Sequence, residues 1–309
     1  MSERPGRAGA AGGGARAPQN PSQAAKVPRP PQSPGRTLKA PQVQQTLRQT
    51  EEASQIIRTE KLSKSFGTNA VLKEVTLGIP EKKISAVIGQ SGTGKSVLFK
   101  TIMGMLKPDQ GRVWFRDTEL TALKPNDLIA IRRRFGYSFQ NAALFDSMTV
   151  GENLAFPLRE VLRIRDRGEI RRRVAEMLEW IELPAIEAKR PDELSGGMRK
   201  RIGVARALIM QPEVLFFDEP TTGLDPVLSE TINNLVVRVN RELRITCVMI
   251  THDIPAAFRI ADKIAFLDQG YIIAEGSPKE VALSKRDMVR NFLRISFSEL
   301  KVWRNDTLR

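Results

Sequence analysis

The segment Gly89-Gln90-Ser91-Gly92-Thr93-Gly94-Lys95-Ser96 has the spacing G-x-x-x-x-G-K followed by Ser or Thr. That spacing suits a loop that cradles polyphosphate. Backbone N–H groups must come close to the phosphate oxygens, and glycine permits the tight turn and removes the Cβ atoms that would block the approach. A helix beginning just after the loop adds unpaired N–H groups and the positive end of a dipole, both favourable to anions. Lys95 is expected to reach the β- and γ-phosphates, and the Ser96 hydroxyl to ligate Mg2+.

A second group lies far along the chain. The apolar run Val214–Phe217 ends in Asp218 and Glu219. Two adjacent acids project in different directions and can take separate roles. Asp218 is expected to hold the metal ion, directly or through water, and Glu219 to polarise the attacking water as general base. Acids commonly end strands, so this pair gains its meaning from the phosphate loop in the same chain.

Both groups need rigid elements beneath them. From about Ile56, short β-rich runs alternate with helical patterns. Strands are predicted over Ile56–Phe66, Val71–Ile79, Ser85–Ile88, Arg112–Phe115, Gly136–Phe139, Val214–Phe217, Ile245–Ile250, Lys263–Leu267 and Tyr271–Ala274. The later strands are apolar nearly throughout, as expected when helices cover both sheet faces. The strand Ser85–Ile88 precedes the phosphate loop, and a helical run is predicted from Val97. Two helical stripes, Ile170/Val174/Met177/Leu178/Ile181 and Leu228/Ile232/Leu235/Val236/Val239/Leu243, follow the 3.6-residue period. Between roughly Phe145 and Leu208 the chain reads as a helical insert. No internal repeat is present.

Three further segments narrow the reading. Leu194-Ser195-Gly196-Gly197-Met198 precedes a helical run from Arg199. Gln140 follows the strand ending at Phe139. Thr251-His252-Asp253 follows the next apolar strand. In order and spacing, residues 56–280 resemble the ABC ATPases, with a signature motif at 194–198, the Q-loop glutamine at Gln140 and the switch histidine at His252. The resemblance implies an α/β P-loop NTPase fold with a β-rich N-terminal subdomain and a helical insert. It implies domain limits of 55–280, with the helical subdomain at about 145–208.

The resemblance also implies a mechanism of ATP hydrolysis with Mg2+. Two copies pack head to tail, and each ATP lies on the phosphate loop of one copy. Ser195, Gly196 and Gly197 of the other copy cap it. Glu219, His252 and Gln140 are the expected catalytic residues. Ser96, Gln140 and Asp218 are the expected metal ligands, and Asp225 in Gly223-Leu224-Asp225 lies in the loop that links the two sites. Phe66 falls where the family stacks an aromatic on adenine, with a strand-end core phenylalanine as the other reading. Departures are mild: Met198 stands where many members carry Gln, and Phe66 where Tyr is commoner.

The run Phe139-Gln140-Asn141-Ala142-Ala143-Leu144-Phe145-Asp146-Ser147-Met148-Thr149-Val150 looks like the Mla/Mce lipid-transport ATPases. So do Ala155–Glu160, Ser195–Arg201 and Val289–Leu293. That likeness implies lipid exchange between bacterial membranes, with integral-membrane permease subunits and an Mce-type lipid-binding subunit as partners. The chain would sit on the inner face of the cell membrane through the permease. Another importer or exporter with different cargo remains open. The long coiled coils of DNA-repair relatives and the paired cassettes of ribosome-acting relatives are not seen, and no specific nucleic-acid partner is expected. A metabolic kinase would leave the signature and His252 without a purpose.

Composition sets outer limits. The 309 residues are 41% hydrophobic with a net charge of +14. Residues 1–50 hold eight Lys/Arg against one acid, Glu3, and are rich in Pro, Gly, Ala and Gln, so residues 1–54 are expected to be a disordered basic tail. Cys247 is the only cysteine, so neither an internal disulfide nor a zinc cluster is expected, and its apolar setting predicts a buried small hydrophobe. No run approaches the ~20 apolar residues needed to span a bilayer, nor is a secretory signal core evident, so a soluble chain is expected. Residues 281–309 are too short for the β-rich regulatory domain of sugar-importer ATPases. They are expected to form a short tail, either a small helix against the neighbouring copy or a frayed basic end.

Overall fold

The computed structural model describes residues 55–298. The basic N-terminal segment and the last residues of the expected tail lie outside the described residues.

Two sheets organise the chain. The first is antiparallel, in the order β2-β1-β4-β5, and consists of β1 (Gln55–Phe66), β2 (Asn69–Pro80), β4 (Gln110–Phe115) and the short β5 (Thr118–Glu119). The second has the order β10-β9-β3-β8-β7-β6. Its strands are β3 (Ile84–Ile88), β6 (Phe135–Ser138), β7 (Val214–Asp218), β8 (Thr246–Thr251), β9 (Lys263–Asp268) and β10 (Tyr271–Gly276). These are parallel, apart from the antiparallel edge strand β10.

The uninterrupted apolar strands find their reason here. Along each central strand, alternate residues enter different cores. Val87, Val214, Phe216, Val248, Ile250, Ala265 and Leu267 face the antiparallel sheet and the helix α1 (Lys95–Ile102). Ile84, Ile88, Leu215, Phe217, Cys247, Met249 and Phe266 face the helices of the other layer. Both sheet faces are dry, so the strands are apolar on both faces apart from a few small buried hydroxyls, Ser85, Ser138, Thr246 and Thr251. Cys247 is fully buried, and burial pushes its thiol well above the ordinary range, which leaves it an inert packing group.

α1 is fixed where it matters. Phe99 meets Phe216 of β7 edge to face at 5.1 Å, and Phe216 meets Phe135 of β6 at 5.7 Å. Such pairs stabilise by about 0.5–1.5 kcal/mol beyond their buried area. They clamp the helix that carries the phosphate loop to the strand that ends in Asp218.

Three helices build a third core: α3 (Val150–Glu160), α4 (Arg167–Trp180) and α5 (Gly196–Leu208). It contains Leu154, Leu158, Ile170, Val174 and Leu178. α5 belongs to two cores at once. Ile202 and Ala205 enter the helical one, and Val204, Ala207 and Leu208 pack against the sheet. Thr149 starts α3 with a capping box closed by Glu152. Asn153, fully buried, donates from its amide to the carbonyls of Phe145, Met148 and Thr149 and accepts from Phe145 N at 2.8 Å. One side chain thus holds the loop between β6 and α3.

The remaining helices are α2 (Pro125–Arg132), α6 (Pro226–Leu243), α7 (Ile254–Ile260), α8 (Pro278–Ala282) and α9 (Asp287–Ser298). The expected domain limit at residue 280 falls inside α8. Beyond it, Val281, Val289 and Leu293 are buried in the sheet's outer core, and Phe292 packs on Phe266 with centroids 4.5 Å apart. Residues 281–298 are therefore part of the packed body. Among the described residues, no helix is long and apolar enough to cross a membrane.

Candidate functional site

The parallel register gathers the chemistry at one edge. Ile88 pairs with Thr251, Asp218 with Ile250, and Ser138 with Phe217. Whatever follows β3, β6, β7 and β8 must emerge side by side at the carboxyl ends of the strands, where open α/β sheets bind ligands.

After β3 comes the phosphate loop. Gly89 is pressed against β9, so that a Cβ there would lie 2.2 Å from the carbonyl oxygen of Leu267. Gly94 has φ 100°, and a Cβ on it would lie 2.9 Å from Val71 Cγ1. Thr93 Oγ1 donates to Gln90 O at 2.9 Å, which tightens the turn, while Gln90 and Ser91 are exposed and Gly92 after them faces open space. The helix starts at Lys95 itself, two residues before the predicted Val97, because Gly94 supplies the left-handed cap. Lys95 is buried, and its ammonium donates to Gly89 O at 2.9 Å and Gln90 O at 2.7 Å. Burial pulls its pKa below the ordinary lysine value, and the carboxylates of Glu219 and Asp218 oppose that shift.

After β7 come the acids. Ser96 Oγ donates to Asp218 Oδ1 at 3.5 Å. The other oxygen, Oδ2, accepts from Tyr137 Oη at 2.5 Å. Burial, and then the bond to Asp218, push the Tyr137 hydroxyl far above the ordinary tyrosine value, so it stays a donor. Glu219 takes the left-handed φ of 46°. Its N–H donates to Ile250 O at 2.9 Å. Its carboxylate Oε2 accepts from Thr222 Oγ1 at 2.8 Å and meets His252 Nδ1 at 3.0 Å. Oε1 has no hydrogen-bond partner among the described residues.

Gln140 lies beyond the end of β6, which stops at Ser138 and not at the predicted Phe139. Its backbone carbonyl accepts from Lys200 of α5, whose ammonium also donates to Glu219 O at 3.4 Å. Phe66 ends β1 exposed, with Lys64 Nζ 5.6 Å from its ring centroid, so it is not a core phenylalanine. Asp225 caps α6 by accepting from Val227 N and Leu228 N, both at 2.9 Å.

The signature residues sit at the start of α5. Ser195 is its N-cap, accepting from Met198 N at 3.3 Å, and Gly196 and Gly197 form its first turn. The helix thus begins three residues before the predicted Arg199. A Cβ at Gly197 would lie 3.1 Å from Leu228 Cδ2, so α5 and α6 meet closely there. Among the described residues, no hydrogen bond joins 195–197 to 89–96.

The site fits a nucleotide polyphosphate and a small hard cation. The loop is a cradle that Cβ atoms would fill. Among the described residues, no cluster of three or more His, Cys, Asp or Glu could hold a metal. A hydroxyl and one carboxylate that rely on phosphate for further oxygens match the habits of Mg2+.

Tyr137, Thr222 and Lys200 were given no role by the sequence reading. Each contacts a motif residue. Thr222 lies three residues from Glu219, and the tight turn between them was a usable signal. Tyr137 and Lys200 reach partners 81 and 60 positions away, which only the folded register reveals.

Comparison with known proteins agrees with this geometry. The ABC transporter family model matches residues 72–222. The chain is 40% identical over 238 residues to the probable ribonucleotide transport ATP-binding protein mkl of Mycobacterium leprae, covering 77% of this chain and 68% of that protein. It is 40% identical over 241 residues to the methionine import ATP-binding protein MetN of Caulobacter vibrioides, covering 77% of this chain and 72% of that one. A solved dimeric ATP-binding cassette in a post-hydrolysis state, bound to ADP and phosphate, superposes with TM-score 0.65 at 32% identity, covering 72% of this chain and 98% of its own. The chain belongs to the ABC transporter family. Within it, the protein is an ATP-binding, ATP-hydrolysing subunit built on the α/β P-loop fold.

Proposed function

We propose that this subunit is the motor of a bacterial lipid transporter, with two copies clamping two ATP molecules against a membrane permease. The observation that carries the catalytic part is the meeting of Ser96–Asp218 and Thr222–Glu219–His252 beside the glycine cradle. Lys95 leaves its loop carbonyls for phosphate oxygens. Glu219, held through Oε2, offers Oε1 to the attacking water, and His252 steadies that carboxylate and faces the γ-phosphate. Ser96 and Asp218, with Gln140, hold Mg2+, which neutralises charge on the phosphates. Phe66 stacks on adenine. Ser195, Gly196 and Gly197 present a hydroxyl and the open N–H groups of α5 to the partner copy's nucleotide, and Asp225 fixes the turn that links the two sites. The nucleotide motifs lie within 55–280, with the helical part at about 145–208, and residues 281–298 pack onto that body.

The permease contact is supported by a groove of about 380 Å³ lined by Tyr137, Phe139, Phe145, Phe156, Pro157 and Met210. Phe139, Phe145 and Phe156 of its walls come from the segments that look like the Mla/Mce ATPases, and these favour a lipid cargo and an Mce-type partner. The chain would lie on the cytoplasmic face through that permease. The relatives' names, ribonucleotide transport and methionine import, support a second reading with the same motor and different cargo. Purifying the chain with its membrane subunits and weighing the bound molecules by mass spectrometry decides between them. Phospholipid is expected; methionine or nucleotide cargo, with no phospholipid, contradicts the lipid reading.

A further inference from the structure

Lys200 is a cation in an unusual place. It lies on α5, about one helical turn beyond Gly196, and is half-buried. It makes no ion pair among the described residues. Its ammonium instead donates to two backbone carbonyls, Gln140 O and Glu219 O. Those carbonyls lie just beyond the ends of the neighbouring strands β6 and β7, at the hydrolytic side of the site.

Glu219 is the more telling of the two. A non-glycine residue at φ 46° is held in the left-handed region against its own preference. Its peptide groups are tied on both sides, by N–H to Ile250 O and by the carbonyl to Lys200 and Thr222 N. The direction of its carboxylate therefore depends on where α5 carries Lys200. The helix is packed into two cores, since Ile202 and Ala205 belong to one and Val204 and Leu208 to the other.

We propose that Lys200 is a positioning residue that couples the two nucleotide sites: it transmits the seating of α5 on the partner copy's nucleotide to Gln140 and Glu219 of its own copy. This rests on the reading of Ser195–Gly197 as a cap on that nucleotide. The first turn of α5 meets one ATP, and the second turn steers the base for the other. Hydrolysis at one site then waits for nucleotide at both. Lysine suits the task because one ammonium with three donors can serve two carbonyls from a single point.

The test uses the full chain. Steady-state ATPase is measured across ATP concentration for wild type, K200M, K200R and S195R, with binding of a fluorescent ATP analogue measured in parallel. K200M keeps the aliphatic stem and removes the donors. It should lose kcat on the order of tenfold to a hundredfold, as expected for a misplaced catalytic group. The ATP dependence, expected to be sigmoidal in wild type, should be hyperbolic in K200M, with analogue affinity within about twofold of wild type. K200R should recover both rate and cooperativity. Wild-type turnover and cooperativity in K200M overturn the proposal, and so does a K200M that loses nucleotide binding along with rate. S195R separates the two layers. If turnover survives in S195R, the capping reading falls. If turnover is lost in S195R yet unchanged in K200M, only the coupling by Lys200 falls.

Discussion

The phosphate loop and the signature turn are both glycine-rich helix starts, yet they are built differently. Residues 89–96 are finished within one chain. The loop is pressed on Leu267 O and Val71, its lysine is buried, and Ser96 already meets Asp218. Residues 195–197 have a capped helix and a glycine packed on Leu228, but among the described residues no hydrogen bond joins them to an acid, base or phosphate loop of their own copy. On the proposed reading, the first region is a site and the second is half of one: the chemistry is assembled in cis, and the step to be controlled waits for the partner copy.

The widest separation of the two regions should come from Glu219→Gln. Removing the base is expected to cut kcat by roughly 10²–10⁴-fold. ATP binding should persist, since the cradle does not use Glu219. Near-normal turnover in this variant, measured by phosphate release, would remove Glu219 as the base. Lys95→Ala should differ in kind and abolish nucleotide binding as well as turnover, as equilibrium binding would show.

A smaller effect sharpens the loop side. Tyr137→Phe removes the donor to Asp218 Oδ2 and leaves the ring on Phe139. The Mg2+ concentration for half-maximal ATPase should rise by roughly 10-fold, the scale of lost support to a metal ligand. ATP-dependent association should be unchanged. A Tyr137→Phe protein with an unaltered Mg2+ requirement would strip Tyr137 of that role.

The smallest effect belongs to a variant remote from both regions. Glu213 bridges Arg134 and Arg116 at the far end of the sheet. The bond from Arg134, and then Arg116, hold its carboxyl below the ordinary value of 4.5. A depressed carboxylate contributes stability above its unfolded pKa and loses it as pH falls through the folded one. Glu213→Gln should therefore cost about 1 kcal/mol or less at neutral pH, because the pair is well solvated. The gap to wild type should close below pH 4.5. Urea melts across pH would show it, and a gap that widens in acid would contradict the assignment.

The loop was legible because its glycines, lysine and serine carry their chemistry in their spacing. The central strands were legible because two dry faces leave them apolar apart from a few buried Ser and Thr. The signature was readable as a motif but misplaced as structure, since Gly196-Gly197 reads as a helix breaker while Leu228 packs it into a first turn. α2 gave little periodic signal because it buries no side chain fully, with only Leu128 and Ile131 partly covered by the core. Residues 281–298 looked like a tail because Val289, Phe292 and Leu293 are too few to announce a core helix without the Phe266 and Phe258 surface beneath them. Tyr137 and Lys200 were invisible for a simpler reason: a hydrogen bond to a distant strand leaves no mark on the local sequence.

The most direct measurement is the molar mass of the Glu219→Gln full chain by light scattering, with and without ATP and Mg2+, alone and beside its permease. A shift from one copy to two on adding ATP is predicted, and it should vanish when Ser195→Arg is added to the same chain. A mass that ignores ATP in both settings, or a dimer indifferent to Ser195→Arg, would contradict a site shared between two copies.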